Sequence, residues 1–352
     1  MTPAPPSRTE RLQAALAQLA LDGYLSASGA DVTYLTGSTE MPAAVWVPVS
    51  GTPTLVVPEA RHAGAVAPEA YRVLPRPLGG SWAAPLSPLL PPGPRRLGTA
   101  GLHGELRGLA GSPCAPDLLD RLRRRHGPDA PERDGLARSR RIASAAARAA
   151  LDAARPGVRE TDVALAAEST MRLARAQPLH RVRLATGTRA ADAGAGPSPR
   201  ILREGDAGFV HVQPEWEGHR AVIARSFHLG PPSPDGQRLC DAMLRARDAA
   251  LTAMRPGRTG GAVFRAAAAS LEAAGLGGSC PHAMGRPIGG MRRPRLIPDE
   301  TEALLPGDIL ILDVGVYVAG MGGLRVADAV QVTAGGAELL AGGLPAWTVV
   351  DG

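Results

Sequence analysis

The chain has 352 residues, a hydrophobic fraction of 44% and only 3% aromatic residues, which suits a soluble globular protein of two domains. Its net charge is +6 and all 39 basic residues are arginine, but no aromatics are interleaved with the arginine clusters, so we expect no nucleic-acid partner. Three scattered cysteines, no apolar secretion signal and no apolar run of about 18 residues argue against a disulfide framework, export and a membrane span, and favour the cytoplasm.

The first third of the chain alternates predicted helix and strand. Residues 10–21 carry apolar side chains at helical spacing, and Gly23 ends that pattern. Short apolar runs bounded by turn residues are then predicted as strands: Tyr24-Leu25, Val32 to Leu35, Ala44 to Val49 and Thr54 to Val57. This alternation predicts an α/β domain.

Two segments mark where that domain ends. Residues 76–98 are rich in proline and glycine and predict a loop, whereas residues 121–135 are charged and contain helix breakers. We place the domain boundary in the second segment. The expected domains are therefore residues 1–130 and residues 136–352.

The second half carries an internal repeat. The tripeptide Arg-Pro-Gly at 155–157 recurs at 255–257 between Ala-rich helices, and the segment 202–212 recurs at 304–314 as a Gly-Asp turn followed by a buried strand. A duplicated helix–strand unit implies two halves related by a pseudo-twofold axis. His211 then becomes equivalent to Asp313, and both side chains should point into one central cavity.

Over nearly its whole length, and most specifically from residue 138 to 336, the chain resembles the creatinase/aminopeptidase family, whose members include the Xaa-Pro peptidases with the pita-bread fold. The resemblance rests on retained flanking residues: Gly205-Asp206, Gly218, Arg225-Ser226-Phe227, Pro281-His282, Gly285, Ile288-Gly289, Arg325 and Asp328. The sequence YLTG at 34–37 resembles the family's N-terminal domain. The resemblance implies an α/β (α+β) fold, with a small creatinase-like N-terminal domain followed by a pita-bread domain. Arg325 and Asp328 are expected to tie its strands together.

The resemblance also locates five ligand positions, which most members fill with Asp, Asp, His, Glu and Glu around two divalent metals. Here they hold His211, Val222, Arg286, Asp313 and Ala327. Two of these side chains offer no ligand atom and the guanidinium repels cations, so we expect no metal or other cofactor. The catalytic His of creatinase, a metal-free member, falls at Gly194, so creatine hydrolysis is not expected either.

The remaining polar residues predict the site. His211 is the expected acid–base catalyst with Asp313 as its orienter, and His282 is a third catalytic candidate. Arg286, Arg293 and Gln213 are the expected substrate contacts, because two guanidinium groups would clamp a carboxylate or phosphate. An alternative remains open, in which Arg286 simply neutralises Asp313 as a buried ion pair.

Three functions are compatible with these residues. The first is a metal-independent enzyme of specialised metabolism that acts on a small carboxylated or anionic substrate, by C–N hydrolysis or by elimination or cyclisation. The second is a catalytically inactive pita-bread binding module, and the third is a divergent Xaa-Pro aminopeptidase that retains a metal. The resemblance further implies a homodimer.

Overall fold

The structure, a computed structural model, describes residues 6–39, 43–64, 68–111, 114–178, 182–340 and 343–350. It divides into two compact units, Met1–His126 and Gly127–Gly352. No helix among the described residues is both long enough and apolar enough to cross a membrane.

The first unit is a five-stranded sheet with flanking helices. Its strand order is β4-β3-β2-β1-β5; β1 runs parallel to β5 and β3 parallel to β4, and the remaining pairs are antiparallel. The elements are α1 (Arg8–Gln18), β1 (Gly23–Ser26), α2 (Gly29–Thr36), β2 (Ala44–Pro48), β3 (Thr54–Pro58), β4 (Arg72–Arg76), β5 (Leu97–Ala100), α3 (Gly104–Ala110) and α4 (Leu118–His126).

Most of the predicted elements of this unit are confirmed, but one is wrong. The first helix is present as α1, and three of the four apolar runs contribute to β1, β2 and β3. The run 32–35 lies in α2 instead, with Val32 and Leu35 buried three residues apart on one helical face. A four-residue apolar run has no period long enough to distinguish strand from helix.

The second unit packs helices and short strands against an eight-stranded sheet. Six strands follow the order β12-β13-β14-β11-β8-β7, with β15 beside β14 and β16 beside β11, and β10-β9-β6 form a separate small sheet. The elements are α5 (Ala130–Ala153), α6 (Glu160–Leu173), β6 (Gln177–Pro178), β7 (Arg183–Thr186), β8 (Ala207–Val212), β9 (Pro214–Trp216), β10 (His219–Arg220), β11 (Ile223–Leu229), α7 (Pro234–Ala253), α8 (Gly260–Ala273), β12 (Gly285–Pro287), β13 (Ile309–Val318), β14 (Gly322–Thr333), β15 (Gly336–Leu339) and β16 (Trp347–Val350).

The internal repeat is confirmed as two copies of helix pair, turn and strand. Helices α5 and α6 precede β8 in one copy, and α7 and α8 precede β13 in the other. Each Gly-Asp turn is closed in the same way: a side-chain oxygen of Asp206 accepts from the backbone N–H of Arg203 at 2.8 Å, and one of Asp308 from that of Leu305 at 2.8 Å. The same local sequence thus builds the same turn 102 residues apart.

Alternation along the strands separates two faces of the large sheet. Residues such as Val210 and Phe227 pack with α5 and α6 in one core cluster, and Leu312 and Val314 pack with α7 and α8 in another. The intervening residues, at every second position, point to the opposite face. His211 and Asp313 belong to that second set, so the helices support the sheet and leave the other face for a site.

Candidate functional site

One row of residues crosses this face of the sheet. The strand register places Arg183 opposite His211, His211 opposite Ala224, Ala224 opposite Ala327, and Ala327 opposite Asp313. Directly opposed residues point to the same side of a sheet. The structure therefore brings His211 and Asp313 together: Nε2 of the imidazole lies 3.9 Å from Oδ2 of the carboxylate.

A buried ion pair on the helix side holds the middle of that row. Nη1 of Arg225 donates to the carbonyl oxygens of Ala224 and Ala327, at 2.7 Å and 2.9 Å, and Nη2 donates to Oδ1 of Asp328 at 2.6 Å. Both charged side chains are at most 2% exposed. Asp328 thus ties β11 to β14, as the sequence predicted.

Asp313 is bound by Arg325, which the sequence predicted as a tie between strands but not as the partner of this carboxylate. Nε and Nη2 of the guanidinium donate to the two carboxylate oxygens at 2.7 Å and 2.6 Å. Burial by itself would raise the pKa of Asp313, but the charge and hydrogen bonds of Arg325 outweigh it and lower that pKa to about 2. Both oxygens of the only carboxylate in the row are therefore committed to a cation.

His211 is held by Gln213 rather than by Asp313. The amide Oε1 of Gln213 accepts from Nη2 of Arg286 at 3.2 Å, and arginine can only donate, so the amide Nε2 faces Nδ1 of His211 at 3.3 Å and donates to it. Nε2 of the imidazole then carries the proton and faces Asp313, at a distance too long for a direct hydrogen bond. No direct contact therefore supports the expected role of Asp313 as the residue that orients His211.

The imidazole of His211 is buried and neutral. It is 2% exposed, and burial first, then the charge of Arg325, lowers its pKa well below the ordinary 6.5, against the opposing effect of Asp313. His211 therefore has one nitrogen that accepts from Gln213 and another that faces Asp313. Neither nitrogen is directed to solvent as a ready base.

His282 forms a second hydrogen-bonded pair, with Tyr317. Nδ1 of the imidazole lies 3.0 Å from the carbonyl oxygen of Ala283, so it carries the proton, and Nε2 accepts from the phenol of Tyr317 at 3.1 Å. Burial lowers the pKa of His282 and raises that of Tyr317. His282 is only half-buried and is therefore more accessible than His211, whereas Tyr317 is buried.

The two predicted clamp arginines have different positions. Arg286 lies on β12, is exposed, and makes its hydrogen bond to Gln213 within the cluster. Arg293 does not complete a clamp with it, because its guanidinium contacts both oxygens of the buried Glu300 carboxylate. The resemblance predicted Arg293 as a substrate contact, whereas the structure pairs it with the carboxylate seven residues later.

Arg183 is a residue that sequence reasoning missed. It begins β7, half-buried, directly opposite His211, and its charge acts on His211, His282, Tyr317 and Arg286. Among the described residues neither Arg183 nor Arg286 has a carboxylate within ion-pair distance. Only the pairing of β7 with β8 reveals Arg183, and no local motif marks that pairing.

The residues at the five family ligand positions do not fit a two-metal centre. Val222 and Ala327 are packed in an apolar cluster with Ala224, Ile311 and Ala329. The carboxylate oxygens of Asp313 already bind Arg325. Across the described ranges no group of three His, Cys, Asp or Glu side chains is arranged to hold an ion. The donor set lacks the several hard oxygen ligands that such a site requires.

The buried neutral imidazole should make the protein sensitive to mild acid. A histidine whose pKa is lowered on folding binds fewer protons in the folded state, so its contribution to stability is lost as the pH falls below 6.5. We expect the denaturant concentration at the unfolding midpoint to decrease as the pH is lowered from 7 to 5. His211→Gln should reduce the slope of the unfolding free energy against pH by up to about 1.4 kcal/mol per pH unit. An unchanged pH dependence in His211→Gln would contradict the neutral buried state. Asp313 contributes only at much lower pH, where stability is lost as the pH falls from 3.8 towards about 2.

Sequence comparison agrees with the fold. The profile of metallopeptidase family M24 matches residues 134–334, more than half of the chain, and that of the creatinase/prolidase N-terminal domain matches residues 8–103. The chain therefore belongs to metallopeptidase family M24, with a creatinase-like N-terminal domain and a pita-bread C-terminal domain, as its sequence predicted.

Individual relatives are similar over most of the length. The probable dipeptidase PepE of Mycobacterium tuberculosis is 28% identical over 347 residues, which cover 92% of this chain and 91% of that protein. The crystal structure of PepE from Mycobacterium ulcerans has a TM-score of 0.84 at 27% identity and covers 98% of this chain and 97% of its own. A shorter match, to the agropine synthesis cyclase of Rhizobium rhizogenes, is 32% identical over 146 residues, 40% of this chain and 37% of that protein.

Proposed function

We propose that this protein is an enzyme that acts without a bound metal on a small carboxylated or otherwise anionic substrate. Membership of a peptidase family and similarity to proteins named dipeptidases support an enzyme with hydrolysis as its default reaction. The observation that carries the rest is that Arg325 already neutralises Asp313. The positive charge of Arg286 therefore has no counterpart in the described site, and an anionic group of the substrate would supply one.

In this proposal Arg286 binds the anionic group and Gln213 orients it. Gln213 accepts from Arg286 and donates to the buried His211, so the three side chains form one chain of hydrogen bonds. His211 acts here as a positioning residue that fixes the amide. Because its nitrogens are engaged, the geometry favours a different residue for proton transfer.

The pair His282 and Tyr317 is the proposed acid–base group. For hydrolysis of a C–N bond, the phenol oxygen takes the proton of the attacking water while the phenol's own proton moves to Nε2 of His282. The reverse movement delivers a proton to the leaving nitrogen. The raised pKa of Tyr317 keeps its phenol protonated and ready to donate at neutral pH.

Cyclisation needs the same groups with one change. An internal hydroxyl or amine of the substrate replaces water as the nucleophile, and Tyr317 accepts its proton in the same way. The similarity to a protein named a cyclase supports this version over 40% of the chain. A hydrolase and a cyclase of this type differ in whether a solvent oxygen enters the product, which turnover in H₂¹⁸O distinguishes.

A binding module without catalysis is the second candidate. The hydrogen bonds of His211 and the ion pair of Asp313 are internally satisfied, which favours a fixed receptor surface over reactive groups. A metal-dependent Xaa-Pro peptidase is less well supported, because Val222 and Ala327 supply no ligand.

One experiment separates the metal-dependent peptidase from the two metal-independent functions. The purified protein is measured for bound metals, and its melting temperature is recorded with EDTA, with Mn²⁺, Zn²⁺ and Co²⁺, and with a panel of small carboxylates. We expect no change with EDTA or metals, and stabilisation by carboxylates that Arg286→Gln removes. The control is Arg172→Gln, which changes an exposed arginine on α6. Stoichiometric metal with stabilisation would restore the peptidase alternative.

Turnover then distinguishes the enzyme from the binding module. Tyr317→Phe keeps the ring and removes only the proton donor to His282, so we expect at least about a 100-fold loss of kcat with little change in ligand affinity. Products are followed by mass spectrometry over a library of amides and N-acyl amino acids in the presence of EDTA. If ligands bind and no compound is converted by wild-type protein, the binding module is favoured.

A further inference from the structure

Among the residues that the structure describes, two arginines without carboxylate partners lie on the first and last strands of the site's sheet. Arg286 is on β12, the first strand in the order β12-β13-β14-β11-β8-β7, and Arg183 is on β7, the last. Arg286 lies opposite Ile311, two residues from Asp313, and Arg183 lies opposite His211, so both point to the face that carries the site. Tyr317 lies on β13, between these two strands in that order, and His282 is hydrogen-bonded to it.

The charges on this face do not balance. Arg325 and Asp313 cancel as a two-contact ion pair, and His211 and His282 are neutral at pH 7 because burial lowers their pKa values. Of the described residues on this face Arg183 and Arg286 remain, which leaves an excess of two positive charges among them. Partial burial lowers the pKa of Arg286 against the opposing charge of Asp313, and the positive charges of Arg220, Arg325 and Arg183 add to the lowering. Like charges held near one another in a partly buried site favour an anionic ligand.

We infer that the substrate is a dianion with its two anionic groups at opposite ends, one bound by Arg183 and the other by Arg286. This inference rests on the proposed function, in which the substrate is anionic. The bond that reacts would lie between the two ends, beside Tyr317 and His282. A compound with carboxylates on both sides of an amide or ester group has this shape.

The same geometry disfavours ordinary dipeptides. A free dipeptide carries an ammonium group at one end and a carboxylate at the other, and the ammonium would face Arg183 or Arg286. Repulsion between like charges is an effective way to reject a wrong ligand. The two arginines would therefore select dianions and exclude zwitterions such as free dipeptides, which are the substrates that the names of the dipeptidase relatives indicate.

Binding of matched carboxylates tests the inference. Dissociation constants are measured by calorimetry for dicarboxylates from succinate to pimelate, for monocarboxylates of the same length, and for glycylglycine. We expect one dicarboxylate length to bind at least about tenfold more tightly than its monocarboxylate, because it gains a second charge-assisted contact. Glycylglycine should bind more weakly than either.

Two single variants locate the two groups. Arg183→Gln should weaken the dicarboxylate about tenfold, to the level of the monocarboxylate, and leave monocarboxylate binding within about twofold. Arg286→Gln should weaken both. Arg183→Met serves if the Gln variant does not fold, and Arg172→Gln is the matched control.

The outcomes separate this inference from the proposed function. If mono- and dicarboxylates bind equally and each variant weakens both, the two arginines share one anionic group and the dianion is wrong, while the anionic substrate stands. Equal binding with no effect of Arg183→Gln also overturns the dianion. If no carboxylate binds at all, the proposed function fails together with the inference.

Discussion

Replacing Arg325 with methionine should lower the free energy of unfolding by about 3–5 kcal/mol, because it leaves the carboxylate of Asp313 buried without its cation. The pair has two contacts, at 2.7 Å and 2.6 Å, and the arginine side chain is 5% exposed. Urea-induced unfolding followed by circular dichroism measures the loss. The double variant Asp313→Leu with Arg325→Met should recover most of it, since a buried ion pair replaced by apolar groups is often neutral.

A surface ion pair provides the control. Arg220 contacts Glu215 at 2.6 Å but is 47% exposed, so Arg220→Met should cost less than about 1 kcal/mol. If Arg325→Met lowers the free energy of unfolding no more than Arg220→Met does, the carboxylate of Asp313 is hydrogen-bonded to water rather than fully occupied by Arg325. The unpaired positive charge on which the proposed function rests would then be smaller than proposed.

Restoring a family carboxylate at Ala327 should destabilise the protein strongly without creating a metal site. Ala327 is fully buried, lies opposite both Ala224 and Asp313, and belongs to the apolar cluster. Ala327→Glu forces an unpaired charge into that cluster beside an existing carboxylate, so we expect a loss of at least about 3 kcal/mol. Thermal and urea unfolding with and without Mn²⁺ and Co²⁺ measure the effect.

The uncharged variant Ala327→Gln isolates the charge from the size of the new side chain. It should cost about 1–3 kcal/mol through overpacking and should not respond to metals. Selective rescue of Ala327→Glu by Mn²⁺, absent for Ala327→Gln, would show that the remaining donors can still assemble around a cation. That result would favour the divergent peptidase over the metal-independent enzyme.

The sequence predicted the second unit well because its signals are local and repeated. Gly-Asp turns, each followed by a buried strand, recur with a fixed offset, and each Asp side chain closes its own turn. That regularity was sufficient to predict that His211 and Asp313 lie close together, and their side chains are 3.9 Å apart. Family flanking residues added the positions of His282 and Arg286.

The pairing of Arg325 with Asp313 and the position of Arg183 in the site were not predicted, because both depend on how strands pair. Arg325 binds Asp313 because β13 and β14 form a hairpin around Gly320, which places Gly315 opposite Arg325 and Asp313 opposite Ala327. The glycine and the two apolar strands were visible in the sequence, so this register was within reach. Arg183 was not, since β7 and β8 are separated by a long loop and their register follows from packing.

Hydrogen-bond geometry decided what residue identity left open. The sequence allowed Arg286 to pair with Asp313, but Arg325 occupies that carboxylate and Arg286 donates to Gln213. Arg293 was expected beside Arg286, and its guanidinium contacts Glu300. Side chains as long as arginine reach several partners, so position along the chain does not determine which one they bind.

Val222 and Ala327 belong to an apolar cluster. At these two positions the folded state of the domain is therefore stabilised by apolar contacts rather than by bonds to an ion. A metalloprotein gains stability in proportion to RT ln(1 + [M]/Kd), so its folded fraction follows the supply of its metal. Under the proposed metal-independent function, that linkage has no counterpart at these positions. In a cell deprived of manganese or zinc, a metal-binding relative would lose stabilisation, whereas the abundance of this protein should be unaffected.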